Sequence, residues 1–274
     1  MAKRDRGWTE EKIARFVKQG RGSGEGIHYK PWLTIQDVPS EGRVHRIRGN
    51  KTGRIHQLMS DLERDFFYLM EWADEVIDIR EQFPLDRELT LRIAEEKNIR
   101  HPEDVVSKTP LVMTTDFLIT YRKGKEVFYI APTIKPADKL SDQRIIEKLE
   151  IEREYWKIKN VQWGIVTERE VPQKSTCKNI ELFHNHYDVE DSIMKLADLL
   201  LMFLSIYQDS AIRDMLRKFE IEYNLDPGIG LSSLKHLLAT KKVLMDMDQL
   251  FDVSKMNAQD LAVNNVDHRR RWAT

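Results

Sequence analysis

Asp116 stands at the head of one strand-like run and Lys135 closes the next, in TTDFLITYRKGKEVFYIAPTIKP (114–136). These residue types suit phosphodiester hydrolysis, which needs a metal to polarise the phosphate and a water to attack it. Magnesium takes a few carboxylate or carbonyl oxygens and keeps several waters. A lysine near the attacking water orients it or offsets developing charge. Alternation along a strand puts Thr133 and Lys135 on one face, with the Ile134 carbonyl between them. Asp116 from the paired strand and Glu63 from the first turn of a helix could face the same spot. Plainer readings exist for each residue. Glu63 completes a capping box, Ser60-x-x-Glu63, and suits the helix dipole. Asp116 reads equally as an edge or surface position, and Lys135 as a solvated strand end.

The surrounding elements follow from the pattern. WTEEKIARFVKQ (8–19) reads as a short amphipathic helix with Thr9 as N-cap. GRGSGEG (20–26) reads as a loop without the lysine and helix that a phosphate-binding loop requires. Ser60 opens a helix whose stripe is Leu62, Phe66, Leu69, Met70 and Ala73. VIDIREQF alternates with period two and ends at Pro84, so it predicts a strand. Residues 87–98 look helical, 112–122 and 126–135 form a hairpin through Arg-Lys-Gly-Lys, and 141–159 form a long charged helix. VQWGIVT (161–167) predicts a short buried strand. This order makes a mixed α/β domain over 1–170. VPQKSTCKN reads as a linker. Residues 171–274 then turn mostly α, with helices at 188–206, 209–223 and 230–241 and a strand at KVLMDM. A winged-helix-like module and a plain helical bundle both fit that pattern.

Net charge is −1 overall but unevenly placed. Residues 1–56 hold thirteen Lys/Arg against six Asp/Glu, a balance of +7 that leaves −8 for the remainder. Such asymmetry suits either a polyanion contact or a solvated arm. Arg43, His45, Arg46, Arg48, Lys51, Arg54 and His56 cluster in VPSEGRVHRIRGNKTGRIHQLM and predict a DNA-backbone contact. HNH at 184–186 reads as exposed polar side chains in the linker region, and the tail HRRRW (268–272) as a solvated end or an added contact. One cysteine, Cys177, excludes an internal disulfide framework and fits a reducing cytoplasm. No run of 18 or more apolar residues predicts a membrane span, and the first residues lack the apolar core of a signal peptide.

The chain resembles the TnsA family, the endonuclease subunits of bacterial heteromeric cut-and-paste transposases. The stretches that carry the resemblance are PWLTIQDVPSEGRVHRIRGNKTGRIHQLMSDLE (31–63), VIDIREQFPL (76–85), TTDFLI (114–119), IKPADKL (134–140) and EKLEIEREYW (147–156). They cover the first domain in co-linear order, and the last hundred residues match more loosely. The resemblance implies a restriction-endonuclease-like fold. It also implies Mg2+-dependent cutting of the 5′ strand of double-stranded DNA at transposon ends, with Mn2+ as substitute. The implied partners are a TnsB-like transposase, which handles the 3′ ends, and a TnsC-like ATPase. Position by position, the family's catalytic acids fall on Glu63 and Asp116 and its lysine on Lys135. Glu152 falls on a glutamate just outside the metal ligands. One departure bears on the chemistry. Thr133 stands where the family has a glutamine, with Pro132 before it, and the interval from Asp116 to Lys135 is one residue longer. Thr133 or a water could serve in the glutamine's place. Alternatively Pro132 makes a bulge that displaces Lys135, which would leave a subunit that assembles without cutting.

Overall fold

The structure, a computed structural model, describes residues 7–37, 42–171 and 174–264. The tail HRRRW lies outside these residues. Two compact units divide after Val171. No helix among the described residues is long and apolar enough to cross a membrane.

In the first unit Thr9 caps α1 (Glu10–Lys18) by accepting the Lys12 N–H at 3.2 Å. Ile13 and Phe16 of this helix are buried with Trp32 in a small core of their own. The basic segment folds as an antiparallel hairpin, β1 (His45–Arg48) and β2 (Ile55–Leu58). Then come α2 (Asp61–Trp72), β3 (Val76–Pro84), α3 (Arg87–Glu96), β4 (Thr114–Lys123), β5 (Glu126–Ile134), α4 (Gln143–Ile158) and β6 (Gln162–Val166). The last four strands form one sheet in the order β3-β4-β5-β6. β3, β4 and β5 run antiparallel, and β6 joins β5 in parallel. The result is a restriction-endonuclease-like mixed sheet with flanking helices. Phe66 of α2 meets Phe117 of β4 at 5.3 Å between rings. Ile93 of α3 and Ile151, Tyr155 and Trp156 of α4 pack with Leu118 and Ala131. Since Phe117 and Leu118 point to opposite faces, α2 covers one face and α3 and α4 the other. β6 was expected to be buried, but it is half-exposed because it is an edge strand with only β5 beside it.

Pro132 shapes the sheet where the site lies. The β4–β5 ladder runs from Lys123 opposite Glu126 to Ile119 opposite Ile130. The Lys135 N–H donates to the Val166 carbonyl at 3.0 Å. By alternation the backbones of Pro132 and Ile134 face the other way, toward β4. The next rung would pair Pro132 with Phe117, and proline has no N–H to give. Pairing stops there. β5 is central rather than an edge, so Pro132 opens a gap between two neighbouring strands instead of marking a sheet border.

The second unit is mostly helical: α5 (Lys174–His184), α6 (Asp191–Ile206), α7 (Ile212–Glu222) and α8 (Ile229–Ala239). β7 (Val243–Met245) and β8 (Leu261–Val263) close it as an antiparallel pair. The last three of these four helices, followed by the two paired strands, give the winged-helix-like order. The stretch read as a linker is instead largely α5. Cys177, Ile180 and Phe183 repeat every three residues along it and are all buried. His184, expected at the surface, is buried at the end of that helix.

Candidate active site

Four ionisable side chains converge where β4 and β5 part. Asp116 inserts its carboxylate into the gap. Its Oδ2 accepts the Ile134 backbone N–H at 2.7 Å and the Lys135 ammonium at 2.9 Å. A strand residue's N–H and carbonyl point to the same side, so the Ile134 carbonyl also faces the gap. Lys135 is therefore not displaced by the Pro132–Thr133 sequence. Its side chain is one-third exposed while that of Asp116 is nearly buried, so the site opens to solvent on the lysine side.

Glu63 sits in the first turn of α2, and both readings of it hold together. Its N–H donates to Ser60 Oγ at 3.1 Å, the capping bond. Its carboxylate accepts the Met59 N–H at 2.8 Å rather than that of Ser60, so the box is shifted by one residue. Burial raises its pKa well above the usual carboxylate range, and the Asp116 charge raises it further. Glu152 of α4 is buried and pushed up to about 7, again by burial first and then by Asp116. For Lys135 burial opposes the charged form, but Asp116, Glu152 and Glu63 outweigh it and raise the pKa. Three carboxyls thus surround one ammonium.

Thr133, expected as a metal ligand, is buried and bonds to Glu152 of α4. Its hydroxyl donates to Glu152 Oε1, lies 3.3 Å from the Thr115 hydroxyl, and accepts the Trp163 indole N–H at 3.3 Å. Thr115 also donates to Glu152 Oε1. Each hydroxyl has one hydrogen, and Thr133 and Thr115 both give theirs to Glu152 Oε1, so their mutual approach carries no hydrogen and Thr133 accepts only from Trp163. Thr133 holds Glu152. Thr115 and Trp163 were missed, and the only local sign of the former was its place beside Asp116.

Residues 73–168 match the family described as TnsA-like endonuclease N terminal, and residues 170–247 match TnsA endonuclease C terminal. The chain is 41% identical over 269 residues to the Transposon Tn7 transposition protein TnsA of Escherichia coli, spanning 97% of this chain and 96% of that one. The chain belongs to the TnsA endonuclease family. It is accordingly an endonuclease subunit of a transposase.

For a TnsA endonuclease the predicted DNA-contacting segment divides sharply. Arg54 and His56 are buried, not available to DNA. Arg54 holds Glu81 of β3 with both guanidinium ends, at 2.8 and 2.5 Å, and His56 Nδ1 lies 2.8 Å from the same carboxylate. Gly49 is required beside them, because a Cβ there would come within 2.7 Å of His56 Nε2 and Thr52 Oγ1. Lys51 donates to the carbonyls of Ala73 and Val76, each at 2.8 Å, across the end of α2. His45 is half-buried and its Nε2 lies 2.7 Å from Asp61 Oδ1 at the start of the same helix. That contact, first of all, holds the Asp61 carboxyl below its ordinary range. Only Arg43, Arg46 and Arg48 are exposed. The hairpin therefore clamps both ends of the helix that carries Glu63.

Proposed function

We propose that this protein is a magnesium-dependent DNA endonuclease that cuts the 5′ strands at transposon ends, acting with a TnsB-like transposase and a TnsC-like ATPase. The observation that carries the reading is the Asp116–Lys135 contact at 2.9 Å beside an opened strand pair. The donor set fits a hard divalent cation. It comprises two carboxylates, Glu63 and Asp116, and the Ile134 carbonyl, all oxygen. Burial and the Asp116 charge oppose ionisation of Glu63 and Glu152, an opposition that a bound cation would relieve. Among the described residues no three His, Cys, Asp or Glu side chains are arranged to hold a metal. Side chains would therefore supply two ligands at most, and the rest would come from backbone and water, as magnesium tolerates.

A bound divalent cation supplies Lewis-acid polarisation of the phosphate and a more acidic water. The chain's own residues do the remaining work. Asp116 holds Lys135 by charge and hydrogen bond, and fixes the Ile134 peptide so that its carbonyl is aimed into the gap. Lys135, at the open side, offsets charge developing on the phosphoryl oxygens and orients the attacking water. Glu152, fixed by Thr115 and Thr133, stands behind the site away from solvent. Exposed Arg43, Arg46 and Arg48 contact the backbone without reading sequence. Membership of a TnsA endonuclease family supports a subunit whose targeting comes from its partners. The rival reading, an assembly subunit that does not cut, depended on displacement of Lys135, and the 2.9 Å contact speaks against that.

The test is strand-specific cleavage of transposon-end DNA with magnesium or manganese, in the presence of the cognate TnsB-like transposase. Wild type runs beside Asp116→Ala and Lys135→Ala. A 5′-strand cut lost in both variants upholds the reading. Identical products in all three samples would show that this chain does not cut.

A further inference from the structure

The β4–β5 hairpin reaches past both of its neighbours. β3 accompanies β4 as far as Val76 opposite Tyr121, and β6 accompanies β5 only from Gln162 opposite Ile130. Residues 122–129 therefore project as a two-stranded finger, and every one of them is exposed. Its tip is Arg122-Lys123-Gly124-Lys125, with Gly124 in the left-handed region at φ 64° as the turn requires. Three cations stand there against one acid, Glu126, and among the described residues none of the three is in an ion pair. Behind the tip Val127, Phe128 and Tyr129 are 44%, 37% and 42% exposed. Phe128 stacks on Tyr121 at 5.3 Å between rings, and the Arg80 guanidinium lies 5.8 Å over Tyr129.

A protruding pair of strands with an apolar flank is an aggregation hazard unless something covers it or charge guards it. We infer that the finger is a second DNA-binding element, a β-ribbon that enters the major groove of the duplex beside the cleavage site. The occupant follows from charge and shape. The unpaired cations at the tip complement phosphates, and a major groove admits a two-stranded ribbon. The apolar flank suits contact with sugars and thymine methyls, and phosphate contacts by the tip would fix its register. Lys123 stands seven residues from Asp116 on one strand, about 23 Å at the rise of a strand. The finger thus touches DNA well outside the scissile phosphate. This inference rests on the reading of the protein as one that acts on DNA, but not on cutting.

The experiment measures binding of the full chain to a ~30-base-pair duplex in chelator, over a series of salt concentrations, so that cleavage plays no part. Each lost phosphate contact lowers the slope of log affinity against log salt by about 0.9. The triple variant Arg122→Ala, Lys123→Ala, Lys125→Ala should bind at least about tenfold more weakly at ~0.1 M salt, with a slope lower by about 2–3. Glu126→Gln removes the only acid at the tip and should bind several-fold more tightly, a gain that misfolding cannot mimic. Both variants should melt with wild type, because the altered side chains are exposed and the bond of the Arg122 N–H to the Glu75 carbonyl at 2.8 Å uses backbone atoms alone. Unchanged slope and affinity in both would overturn the inference. So would wild-type DNA binding combined with lost self-association or lost transposase association in Phe128→Ala, which would make the finger a protein-docking strand. If instead wild type fails to cut while the triple variant still loses DNA binding, the nuclease reading fails and the finger stands.

Discussion

The Asp116 carboxylate accepts the Ile134 N–H at 2.7 Å, just beyond the point where Pro132 ends the pairing of β4 with β5. A side chain thus replaces a backbone partner. The carboxylate is drawn into the sheet and the adjacent lysine is drawn to it. The cost is electrostatic, since Asp116 raises the pKa of both Glu63 and Glu152. Asp116→Asn keeps an acceptor for the Ile134 N–H and removes the charge. Cleavage should fall by more than ~100-fold, because even partners outside the ligands of a metal site cost about 10–100-fold. Melting temperature should hold or rise, as when a strained active site is relaxed. Thermal melts and cleavage assays on one preparation check this. A loss of both would mean that Asp116 is chiefly structural.

Thr133 separates two roles by the depth of the defect. If it only holds Glu152, Thr133→Val leaves the Trp163 indole and one Glu152 contact unpaired. That should destabilise the protein by about 1–3 kcal/mol and reduce cleavage less than Asp116→Asn does. A ligand role would make the two variants equally inactive. Denaturant unfolding and cleavage rates, compared side by side, decide it.

The parts legible in the sequence were those governed by local periodicity. The Ser60 cap, the strand at VIDIREQF and the long α4 all appear where the pattern puts them, whereas α2 buries Phe66, Phe67 and Tyr68 in place of most of its predicted stripe, and the strand is buried on both faces rather than alternating. What stayed hidden depended on distant partners. Arg54 and His56 look like phosphate contacts because they are cationic types in a basic run. Their counter-charge, Glu81, lies 27 and 25 residues away and arrives only when β3 forms. The two-residue spacing of Arg54, His56 and Leu58 was a buried-face signal that composition overrode. The linker reading of VPQKSTCKN failed similarly, as polar residues masked the apolar face of α5. Pro132 stands out in the sequence, but only sheet order shows that it faces a neighbouring strand.

The loop after α1 makes a close approach that admits one residue type. Gly22 has φ 76°, and a Cβ there would lie 2.2 Å from Pro84 Cγ. Gly22→Ala therefore meets both backbone strain and a ring that cannot move freely, since Pro84 ends β3. Destabilisation of about 1–3 kcal/mol is expected, with the melting temperature as readout. Gly26→Ala is the control. It also has positive φ, 52°, but a Cβ there meets nothing within 4 Å. It should cost clearly less.

The Glu81 network predicts how the fold responds to acid. Burial alone would raise the Glu81 pKa, but the attraction of His56 and the paired bonds from Arg54 overcome it and hold the carboxyl far below its usual range. A carboxyl depressed in the folded state contributes stability that is fully present above its unfolded pKa of about 4.3 and is lost as pH falls toward the folded value. Glu81 should therefore add no pH dependence to urea midpoints near neutrality, and the midpoints should drop progressively below about pH 4. Glu81→Gln removes the charge and leaves Arg54 buried without it, which should destabilise by about 3–5 kcal/mol. That variant should also lose much of the acid dependence, because no proton can be taken up at the site. A variant as stable as wild type, or an unchanged acid slope, would show that the hairpin is held by its packing rather than by this charge pair.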